Sequence, residues 1–404
     1  MYFRNVLFDD IKDVAYRYGN VFETEEWAIF KKSSAWDYEI IGIYEEDELI
    51  GYFVPLIRNV HIGKMIYIPR GPVIIDWKNL DYQAFKKCLI EYAHKKRVMD
   101  IKIDPYILHA CYEDLNEKPS YQNEEITDNL IKIGFDHTGY NYGYSANINP
   151  RYQAFVYPEN YARGNKKLRQ YVNIAKRRGV YTEIYEGKQA LPVVDAFFDI
   201  LHKTEERKNI RLRNADYFRK MVKTMSDVVI ILGKVDLKKR KEEYEKALAA
   251  YIEESKHLDD INLKQNYQKL KNRLDEEKVS LDKEKKVIEE AINTYGENTV
   301  VVSGCLCISN KVSSELIYAG FDGSFSYYSP AYLTWADTIE YCFDKGKKSV
   351  NLGGISGYAD DHLLKFKKIF NPVINEYLGE FDLVTNKLLF MCFNKAMAIY
   401  KKIR

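Results

Sequence analysis

Long hydrophobic runs are absent from this 404-residue sequence: nowhere do 18 apolar residues stand together, and the first twenty residues hold no apolar stretch of signal-peptide length. Such a chain is expected in the cytoplasm, with at most a peripheral contact with the inner membrane surface. An excess of one charge is also absent. Because 61 Lys and Arg balance 59 Asp and Glu, only local segregation of charge can indicate a partner. With 46% hydrophobic and 30% charged residues, the composition is that of an ordered protein, long enough for two or three domains.

Several motifs of enzyme chemistry are missing too. The sequence has no G-x-x-x-x-G-K followed by Ser or Thr, so ATP cleavage at a P-loop is not expected. It also lacks H-E-x-x-H, a paired C-x-x-C and the G-x-S-x-G elbow of serine hydrolases, and its seven histidines are dispersed. We therefore predict no metal site and no cofactor. The six cysteines are scattered in mostly apolar surroundings and are predicted to be reduced and buried: Cys88, Cys111, Cys305, Cys307, Cys342 and Cys392.

Glycine and proline are absent from Asp236 to Asn293. Apolar or small residues recur there in alternating three- and four-residue steps, with some seven-residue gaps, which is the heptad pattern of a coiled coil. The polar segment His257–Asn262 divides the pattern and has the length of a turn between antiparallel helices. Strand-like runs flank it, Asp227–Val235 before and Thr299–Ile308 after. The pattern predicts an antiparallel helical hairpin, residues 236–294, inserted between two neighbouring strands.

The predicted hairpin, called the arm below, has two interpretations. It is either a spacer or dimerisation element, or a rail for a large partner such as tRNA. Residues 236–294 carry 14 Lys and Arg against 15 Asp and Glu, which argues against strong electrostatic capture of a polyanion.

The rest of the sequence has a mixed α/β pattern in which one unit recurs. In the first half two strands precede a helix and a further strand: Glu39–Tyr44, Leu49–Ile57, Tyr82–Arg97 and Met99–Ile103. In the second half the strands beside the arm lead to the same succession: Val312–Ala319, Pro330–Lys345 and Ser349–Leu352. The parallel indicates two copies of one supersecondary unit, although coincidence of common elements is the alternative.

Positive charge is concentrated in Arg163–Arg178, which has seven Lys or Arg, no acid, and Gly179 directly after it as a helix stop. Such a stripe suits the phosphates of a nucleotide or RNA, and the alternative is a solvated helix face.

Tyr67–Pro72 places Arg70 in a tightly constrained turn. Asn351–Gly357 follows a strand, with glycines that allow a ligand to approach the backbone closely.

Three lysines fall within four positions: Lys365, Lys367 and Lys368. On a helix, adjacent residues differ by about 100°, so Lys365 and Lys368 share a face that is expected to meet solvent. Lys367 points elsewhere, beside a face that carries Leu363, Leu364 and Phe370, and is expected to point inward. A cation held there could stabilise a developing oxyanion.

These motifs, in this order, resemble those of the Fem family, the aminoacyl-tRNA-dependent transferases that build peptidoglycan cross-bridges. Each match alone would be weak, but together they span nearly the whole chain and are collinear. They are Phe22–Lys31, Tyr67–Val73, Lys102–Pro105, Lys167–Gly179, Arg211–Met221, Asn351–Gly357, Leu364–Phe370 and Glu376–Leu383. One departure is Asn371, where relatives more often have glycine.

The resemblance implies an α/β (α+β) fold with two acetyltransferase-like (GNAT) domains. The first would cover residues 1–150, and the second residues 151–235 together with 295–390. The arm, residues 236–294, is similar to the coiled-coil arm of the FemA/FemB branch, and residues 391–404 would form a C-terminal helix.

The resemblance implies transfer of an aminoacyl group from aminoacyl-tRNA to a primary amine. The amine would belong to the stem peptide of a lipid-linked or UDP-linked peptidoglycan precursor, or to its growing bridge. Aminolysis of an activated ester needs neither ATP nor a metal, but it needs a neutral amine and a stabilised oxyanion. By similarity, Lys31 and Arg213, with Arg207 as a substitute, would hold the precursor's diphosphate. Lys367 and Phe366 would lie at the reaction centre.

The remaining site residues follow from the same resemblance. Asp104 is either the general base or a structural cap of its loop. Further substrate-binding residues would be Arg70, Tyr217, Gly353 and Gly354. The basic stripe supplies the candidate tRNA ligands, which are Lys166, Lys167, Arg169, Lys176 and Arg177.

Two other functions compete with this one. A GNAT-type acyltransferase that uses acyl-CoA would normally show an R/Q-x-x-G-x-G/A loop between strand and helix, and the sequence has none. A non-catalytic protein that binds tRNA or a cell-wall precursor would explain the arm and the stripe, but it does not require the collinear motifs of the body.

Overall fold

The computed structural model describes residues 1–60, 62–143, 149–162, 165–256 and 264–403. The fold is mixed α/β, as predicted. Its strands are β1 Tyr2–Asn5, β2 Asp37–Tyr38, β3 Ile41–Glu45, β4 Glu48–Phe53, β5 Leu56–Val60, β6 Gly63–Ile68, β7 Val73–Ile74, β8 Val98–Ile103, β9 Leu108–Tyr112, β10 Tyr121–Gln122, β11 Asp136–His137, β12 Tyr152–Val156, β13 Val180–Glu186, β14 Val228–Asp236, β15 Thr299–Ser309, β16 Ser313–Phe321, β17 Ser349–Ile355, β18 Val373–Tyr377 and β19 Phe381–Val384. Its helices are α1 Phe8–Tyr18, α2 Glu25–Lys32, α3 Tyr82–Lys96, α4 Glu125–Lys132, α5 Pro158–Ala162, α6 Lys166–Arg177, α7 Val194–Lys208, α8 Ala215–Thr224, α9 Leu237–Lys256, α10 Lys264–Tyr295, α11 Pro330–Asp344, α12 His362–Lys367 and α13 Lys387–Ile403.

The strands of the described chain form three sheets. A four-stranded sheet has the order β1-β3-β4-β7, a six-stranded sheet the order β11-β19-β8-β6-β5-β2, and a nine-stranded sheet the order β10-β9-β18-β12-β17-β16-β15-β14-β13. The two larger sheets exchange strands between the chain's halves. β9 and β10 of the first half lie in the nine-stranded sheet, whereas β19, near the end of the chain, pairs with β8 in the six-stranded one. The predicted domain bounds stay a prediction, because strand pairing crosses them.

A strand–helix–strand unit recurs in the structure, although its first copy begins at β6 and not at the predicted strand Leu49–Ile57, whose residues lie in β4 and β5. In the first half β6 leads through α3 to β8, which pairs parallel to β6. In the second half β16 leads through α11 to β17, which again pairs parallel. A parallel pair needs a crossover connection, and a helix supplies it in both cases. Local chemistry fixes where these helices begin: Asp81 accepts hydrogen bonds from the free amides of Gln83 and Ala84, and Pro330 stands at the first turn of α11.

The apolar run of β14 reflects burial on both faces of the nine-stranded sheet. Val228, Ile230 and Leu232 pack with residues of α7 and α8, whereas Val229 and Ile231 pack with residues of α11. Because side chains alternate along a strand, covering both faces requires apolar residues at every position.

The arm consists of α9 and α10, which lie between β14 and β15 as predicted. Their contacts run in opposite directions along the two helices, since Arg240 pairs with Glu284 and Arg273 with Glu254, so the helices are antiparallel. The predicted turn, His257–Asn262, lies outside the described residues. Coiled-coil packing along the full arm stays a prediction. Glu284, which interrupts the apolar positions of the heptad pattern, is buried and forms an ion pair with Arg240.

The base of the arm is part of the body's core. Leu237 of α9 and Ala291 of α10 pack in one apolar cluster with Phe325 and Tyr328. The base of the arm therefore packs on the body, whereas Tyr244, Leu281 and Ile288 form a separate cluster within the arm.

Two smaller predictions need correction. All six cysteines are free, but only Cys305, Cys307 and Cys342 are buried; Cys392 is exposed on α13, and the other two are half-buried. The C-terminal helix begins at Lys387, four residues before the predicted start at position 391. Among the described helices, none is both long and apolar enough to cross a lipid bilayer.

Candidate functional site

Two of the predicted diphosphate ligands flank one aromatic ring. The Arg213 guanidinium lies 5.2 Å from the centroid of the Tyr217 ring, and the Lys31 Nζ atom lies 6.0 Å from it. Asn214 begins α8 by accepting a hydrogen bond from the Tyr217 amide, which fixes the tyrosine beside Arg213. Lys31 comes from the last turn of α2, whose Phe30 packs edge-on against the same ring. Residues more than 180 positions apart in the printed sequence thus meet in one place.

Tyr217 and Arg213 line a cleft of about 1010 Å³. Tyr318, which no sequence motif indicates, lines the same cleft and interacts with both residues. Burial, reinforced by the charge of Arg213, lowers the pKa of Lys31 to about 8. Within the described residues neither Lys31 nor Arg213 forms an ion pair. Two adjacent cations that lack a carboxylate partner form a site ready for an anion.

Arg207, the predicted substitute, is placed differently. Its guanidinium lies over the Phe321 ring, 4.0 Å from the centroid, and its side chain approaches Gly323. It does not line the cleft that contains Arg213. The structure favours Arg213 over Arg207 as the partner of Lys31, because Arg213 and Lys31 flank the same ring, that of Tyr217.

Lys367 points inward, as predicted. Its side chain is 2% exposed, and its Nζ atom donates hydrogen bonds to the carbonyl oxygens of Gly353 at 2.9 Å and Gly354 at 2.8 Å. Burial lowers its pKa to about 7. Lys365 is exposed, as expected, whereas Lys368 is half-buried because it forms an ion pair with Asp114 at 2.7 Å.

Phe366, the neighbour of Lys367 in the sequence, packs against three other aromatic side chains. Its ring centroid lies 5.0 Å from those of Tyr332 and Trp335 and 5.5 Å from that of Phe370. These contacts hold α12 and the following turn, Lys368–Phe370, against α11 and thereby fix the backbone from which Lys367 projects.

A buried chain of hydrogen bonds extends from Lys367 to Glu315. The Gly353 amide donates to Asn351 Oδ1 at 2.8 Å, and Asn351 Nδ2 donates to Glu315 Oε2 at 2.6 Å. Gly353 has φ of +84°, a conformation that favours glycine and that turns its carbonyl toward the lysine. The second carboxylate oxygen of Glu315 accepts from Asn20 Nδ2 at 2.8 Å.

Glu315 is a carboxylate held in a protein interior without a direct ion pair among the described residues. Burial raises its pKa to about 7, while the amides of Asn20 and Asn351 and the charge of Arg70 favour its ionised form. Both amides have their oxygens occupied by backbone N–H groups, so each must present its NH₂ to Glu315. The sequence offered a signal for this residue, a single acid inside the strand-like run Val312–Ala319.

Arg70 and Asp104 form a buried ion pair rather than an open site. The two side chains are 7% and 1% exposed, and Arg70 Nη1 lies 3.3 Å from Asp104 Oδ2. Asn149 Nδ2 donates to the same oxygen at 2.7 Å. Arg70 has φ of +59°, which confirms the constrained turn, and its guanidinium lies beside the stacked rings of Tyr106 and Tyr377, 5.7 and 5.6 Å from their centroids. This geometry favours the structural alternative for Asp104, since the carboxylate is buried and its Oδ2 atom already contacts Arg70 and Asn149.

The predicted tRNA ligands lie along the exposed side of α6. Lys166, Lys167, Arg169, Lys176 and Arg177 are all exposed, while Leu168 and Ala175 are buried on the opposite side. Gly179 follows the helix with φ of +76°, as expected for a residue that ends it.

Strand β16 connects the two cationic centres of the site. It carries Glu315, which reaches Lys367 through Asn351, and three residues later Tyr318, which lines the cleft beside Arg213. Through β16 the arrangement thus connects the cleft that contains Arg213 with Lys367, a buried lysine of α12 whose pKa is about 7.

The family model described as the FemAB family matches residues 13–398. The chain belongs to the FemAB family. Aminoacyltransferase FemB of Staphylococcus epidermidis is 25% identical over 95% of this chain and 94% of its own length. Aminoacyltransferase FemA of Staphylococcus aureus is 24% identical over 92% of each chain. Lipid II:glycine glycyltransferase of Staphylococcus saprophyticus is 24% identical over 93% of this chain and 91% of its own.

The crystal structure of FemX superposes on the FemAB chain with a TM-score of 0.70, covering 97% of this chain and 99% of FemX at 20% identity. The likeness confirms the predicted fold. The predicted family and the predicted enzyme class, an aminoacyltransferase, are confirmed as well. The roles of the individual site residues stay predictions.

Proposed function

We propose that this FemAB protein transfers an aminoacyl group from aminoacyl-tRNA to an amine of a peptidoglycan precursor's stem peptide or growing bridge. The observation that carries the proposal is the pair Lys31 and Arg213, two cations that flank Tyr217 without an ion-pair partner among the described residues. A diphosphate supplies the negative charge that would pair with these two cations. The aromatic faces of Tyr217 and Tyr318 suit the organic group attached to the diphosphate. The family's curated relatives, named aminoacyltransferases and a lipid II:glycine glycyltransferase, support the same reaction.

The reaction is aminolysis of an ester. The neutral acceptor amine attacks the aminoacyl carbonyl carbon, so a C–N bond forms and the C–O bond to the tRNA ribose breaks. The amine proton goes to the departing ribose oxygen, relayed by the substrate itself, because the Asp104 carboxylate is buried and paired with Arg70 and Asn149. The oxyanion of the tetrahedral intermediate is stabilised by Lys367, whose ammonium has three hydrogens and donates two of them to backbone carbonyls.

Lipid-linked and UDP-linked precursors share the diphosphate that Lys31 and Arg213 would recognise. A lipid-linked acceptor requires peripheral contact with the inner membrane surface, and charged tRNA as donor places the reaction in the cytoplasm. Transfer assays with each precursor decide between the two acceptors.

Replacing Lys31 or Arg213 by Ala should weaken precursor binding by about 1.5–3 kcal/mol, the range for hydrogen bonds to charged groups. The apparent affinity for charged tRNA should change much less. Lys32→Ala is the matched control for the lysine, because Lys32 is the exposed neighbour on α2. Arg207→Ala is the control for the arginine, because its guanidinium packs on Phe321. Equal losses for both substrates would instead assign Lys31 and Arg213 to the tRNA site or to the fold.

A transfer assay with charged tRNA and precursor, with acyl-CoA as the alternative donor, tests the reaction itself. Product formed only from charged tRNA supports the proposal. Transfer from acyl-CoA would make the protein a GNAT-type acyltransferase, and binding without transfer would make it a non-catalytic protein that binds tRNA or the precursor.

A further inference from the structure

The exposed side of α6 is a continuous cationic groove. It has a volume of about 740 Å³ and is lined by Lys166, Arg169, Gln170, Asn173, Lys176 and Arg177. These positions recur at three- and four-residue steps, so they share one helix face over about 18 Å. None of the six is apolar, so this face has no large hydrophobic side chain to insert into a lipid bilayer.

The charge of the groove is largely uncompensated. Among the described residues Lys166, Lys167, Lys176 and Arg177 form no ion pair. Asp337 lies near the groove: its charge interacts with that of Lys176, and its carboxylate accepts a hydrogen bond from Thr182 at 2.5 Å. A helix face with this charge attracts a polyanion, because each phosphate that it neutralises releases counterions.

The groove is joined to the reaction centre by stacked aromatic rings. Tyr171, on α6, stacks on Tyr332 with ring centroids 4.2 Å apart and an interplanar angle of 7°. Tyr332 in turn lies 5.0 Å from Phe366, the neighbour of Lys367, and the turn that follows packs against α6. All three rings are partly exposed. Cations along a helix followed by accessible aromatic faces are the two elements with which proteins hold single-stranded RNA.

We propose that the α6 groove binds the acceptor arm of the donor tRNA, with its phosphates on the cations and its single-stranded end directed past Tyr171 and Tyr332 toward Lys367. The proposal rests on the proposed function. It also explains how a chain whose arm is electrically balanced can recognise a polyanion: the groove, rather than the arm, supplies the positive charge. At its far end the groove reaches the base of the arm, where Arg240 donates a hydrogen bond to the Arg177 carbonyl.

The test uses a full-length variant with four neutralised positions, Lys166→Gln, Lys167→Gln, Lys176→Gln and Arg177→Gln. The control neutralises four exposed lysines of α10, Lys269, Lys271, Lys278 and Lys283, and changes the net charge equally. Fluorescence anisotropy with uncharged tRNA gives Kd across a salt series. We expect the groove variant to bind about tenfold or more weakly and to lose about 3 from the slope of log Kd against log salt, at about 0.7–0.9 per phosphate contact. The control should resemble wild type.

Activity and vesicle binding complete the test. The groove variant should show a raised KM for charged tRNA and unchanged precursor binding. If wild type does not transfer from charged tRNA, the proposed function fails; if wild type transfers and the groove variant keeps the Kd and KM of the control, the groove proposal alone is overturned. Loss of binding to vesicles of anionic phospholipid with unchanged tRNA affinity would also overturn it, in favour of a membrane-binding face.

Discussion

The Nζ atom of Lys367 lies 2.9 Å from the carbonyl oxygen of Gly353, and the neighbouring carbonyl of Gly354 accepts a second hydrogen bond from the same atom. The two bonds fix the direction of a lysine that has no carboxylate within hydrogen-bonding distance among the described residues. A protonated amine held in this way has one hydrogen left for a substrate. The two hydrogen bonds therefore fix the position of the Lys367 ammonium and leave one of its three hydrogens to donate to a substrate.

Replacing Lys367 by Met should slow transfer by about 10²–10³, the usual cost of losing one oxyanion donor, about 2.7–4 kcal/mol. Both substrates should still bind. Lys365→Met and Lys368→Met are the matched controls, because Lys365 is exposed and the partly exposed pair of Lys368 with Asp114 contributes about 1 kcal/mol or less. Single-turnover rates on the purified variants measure the effect. If Lys367→Met is no slower than its neighbours, the reaction centre lies elsewhere.

The pH dependence of this effect distinguishes an oxyanion donor from a base. Burial lowers the pKa of Lys367 to about 7 in the free enzyme, so the side chain is charged below that pH and neutral above it. A donor must be charged, and the ratio of wild-type to Lys367→Met kcat/KM should therefore fall as pH rises through about 7. Taking the ratio cancels the ionisation of the acceptor amine, which both enzymes share. A ratio that grows above about pH 7 would identify the neutral lysine as a general base.

Asp104→Asn should destabilise the protein more than it slows the chemistry. The substitution leaves Arg70 buried beside a neutral partner, and removing one member of a buried ion pair costs about 3–5 kcal/mol. We expect a lower denaturation midpoint and a transfer rate per folded molecule within about tenfold of wild type, below the usual effect of losing a general base. Asp114→Asn, which breaks a partly exposed pair, should change stability by about 1 kcal/mol or less. A normally stable Asp104→Asn protein with a rate reduced by about 10² or more would establish the base role.

Glu315→Gln should lower kcat without changing substrate binding. The new amide NH₂ would face the NH₂ of Asn20 or Asn351, since both are fixed by backbone donors. Asn351 would then release the Gly353 amide, and the carbonyls that hold Lys367 would shift. A double-mutant cycle with Asn351→Ala measures this directly: residues of one hydrogen-bond network are expected to be non-additive. Strictly additive losses in kcat would show that Glu315 does not act through Asn351.

The sequence predicted the elements whose pattern is local. The helices α3 and α11 begin at the expected residues, because Asp81 and Pro330 are local signals. Lys367 points inward because helical geometry alone separates it from Lys365 and Lys368. The exchange of β9 and β19 between sheets could not be predicted, since strand pairing depends on partners more than 200 residues away that no local periodicity records.

In the candidate site, too, the residues that could be predicted are those that a local sequence motif indicates. Residues with a charged or glycine-rich motif, such as Arg213 and Gly353, were identified together with the family. Tyr318 and Asn20 were not, because each lies in an ordinary local pattern and acquires its role only from distant neighbours. The paired role of Arg70 and Asp104 depends likewise on a contact between separate segments, so the sequence left the choice between base and structural cap open.

The last prediction concerns the arm, and the structure changes how it must be tested. Deleting residues 236–294 would remove Leu237 and Ala291 from the body's core, so a collapsed protein would say nothing about the arm's role. A variant that lacks residues 248–278, closed by a short glycine-rich turn, keeps the apolar cluster of Tyr244, Leu281 and Ile288 and the pair Arg240–Glu284. We expect this variant to fold and to bind the precursor normally.

If the distal arm, residues 248–278, guides the tRNA, this variant should transfer from charged tRNA more slowly. The loss should appear as a raised KM for charged tRNA, because no residue of the reaction centre is removed. The salt dependence of tRNA binding should change little, since the arm carries 14 basic and 15 acidic residues and the cations of α6 remain. Steady-state kinetics together with a salt series separate these two effects. A variant that transfers with wild-type kcat and KM would leave the distal arm with no part in the reaction and favour the spacer or dimerisation role, which sedimentation analysis of both proteins can then examine.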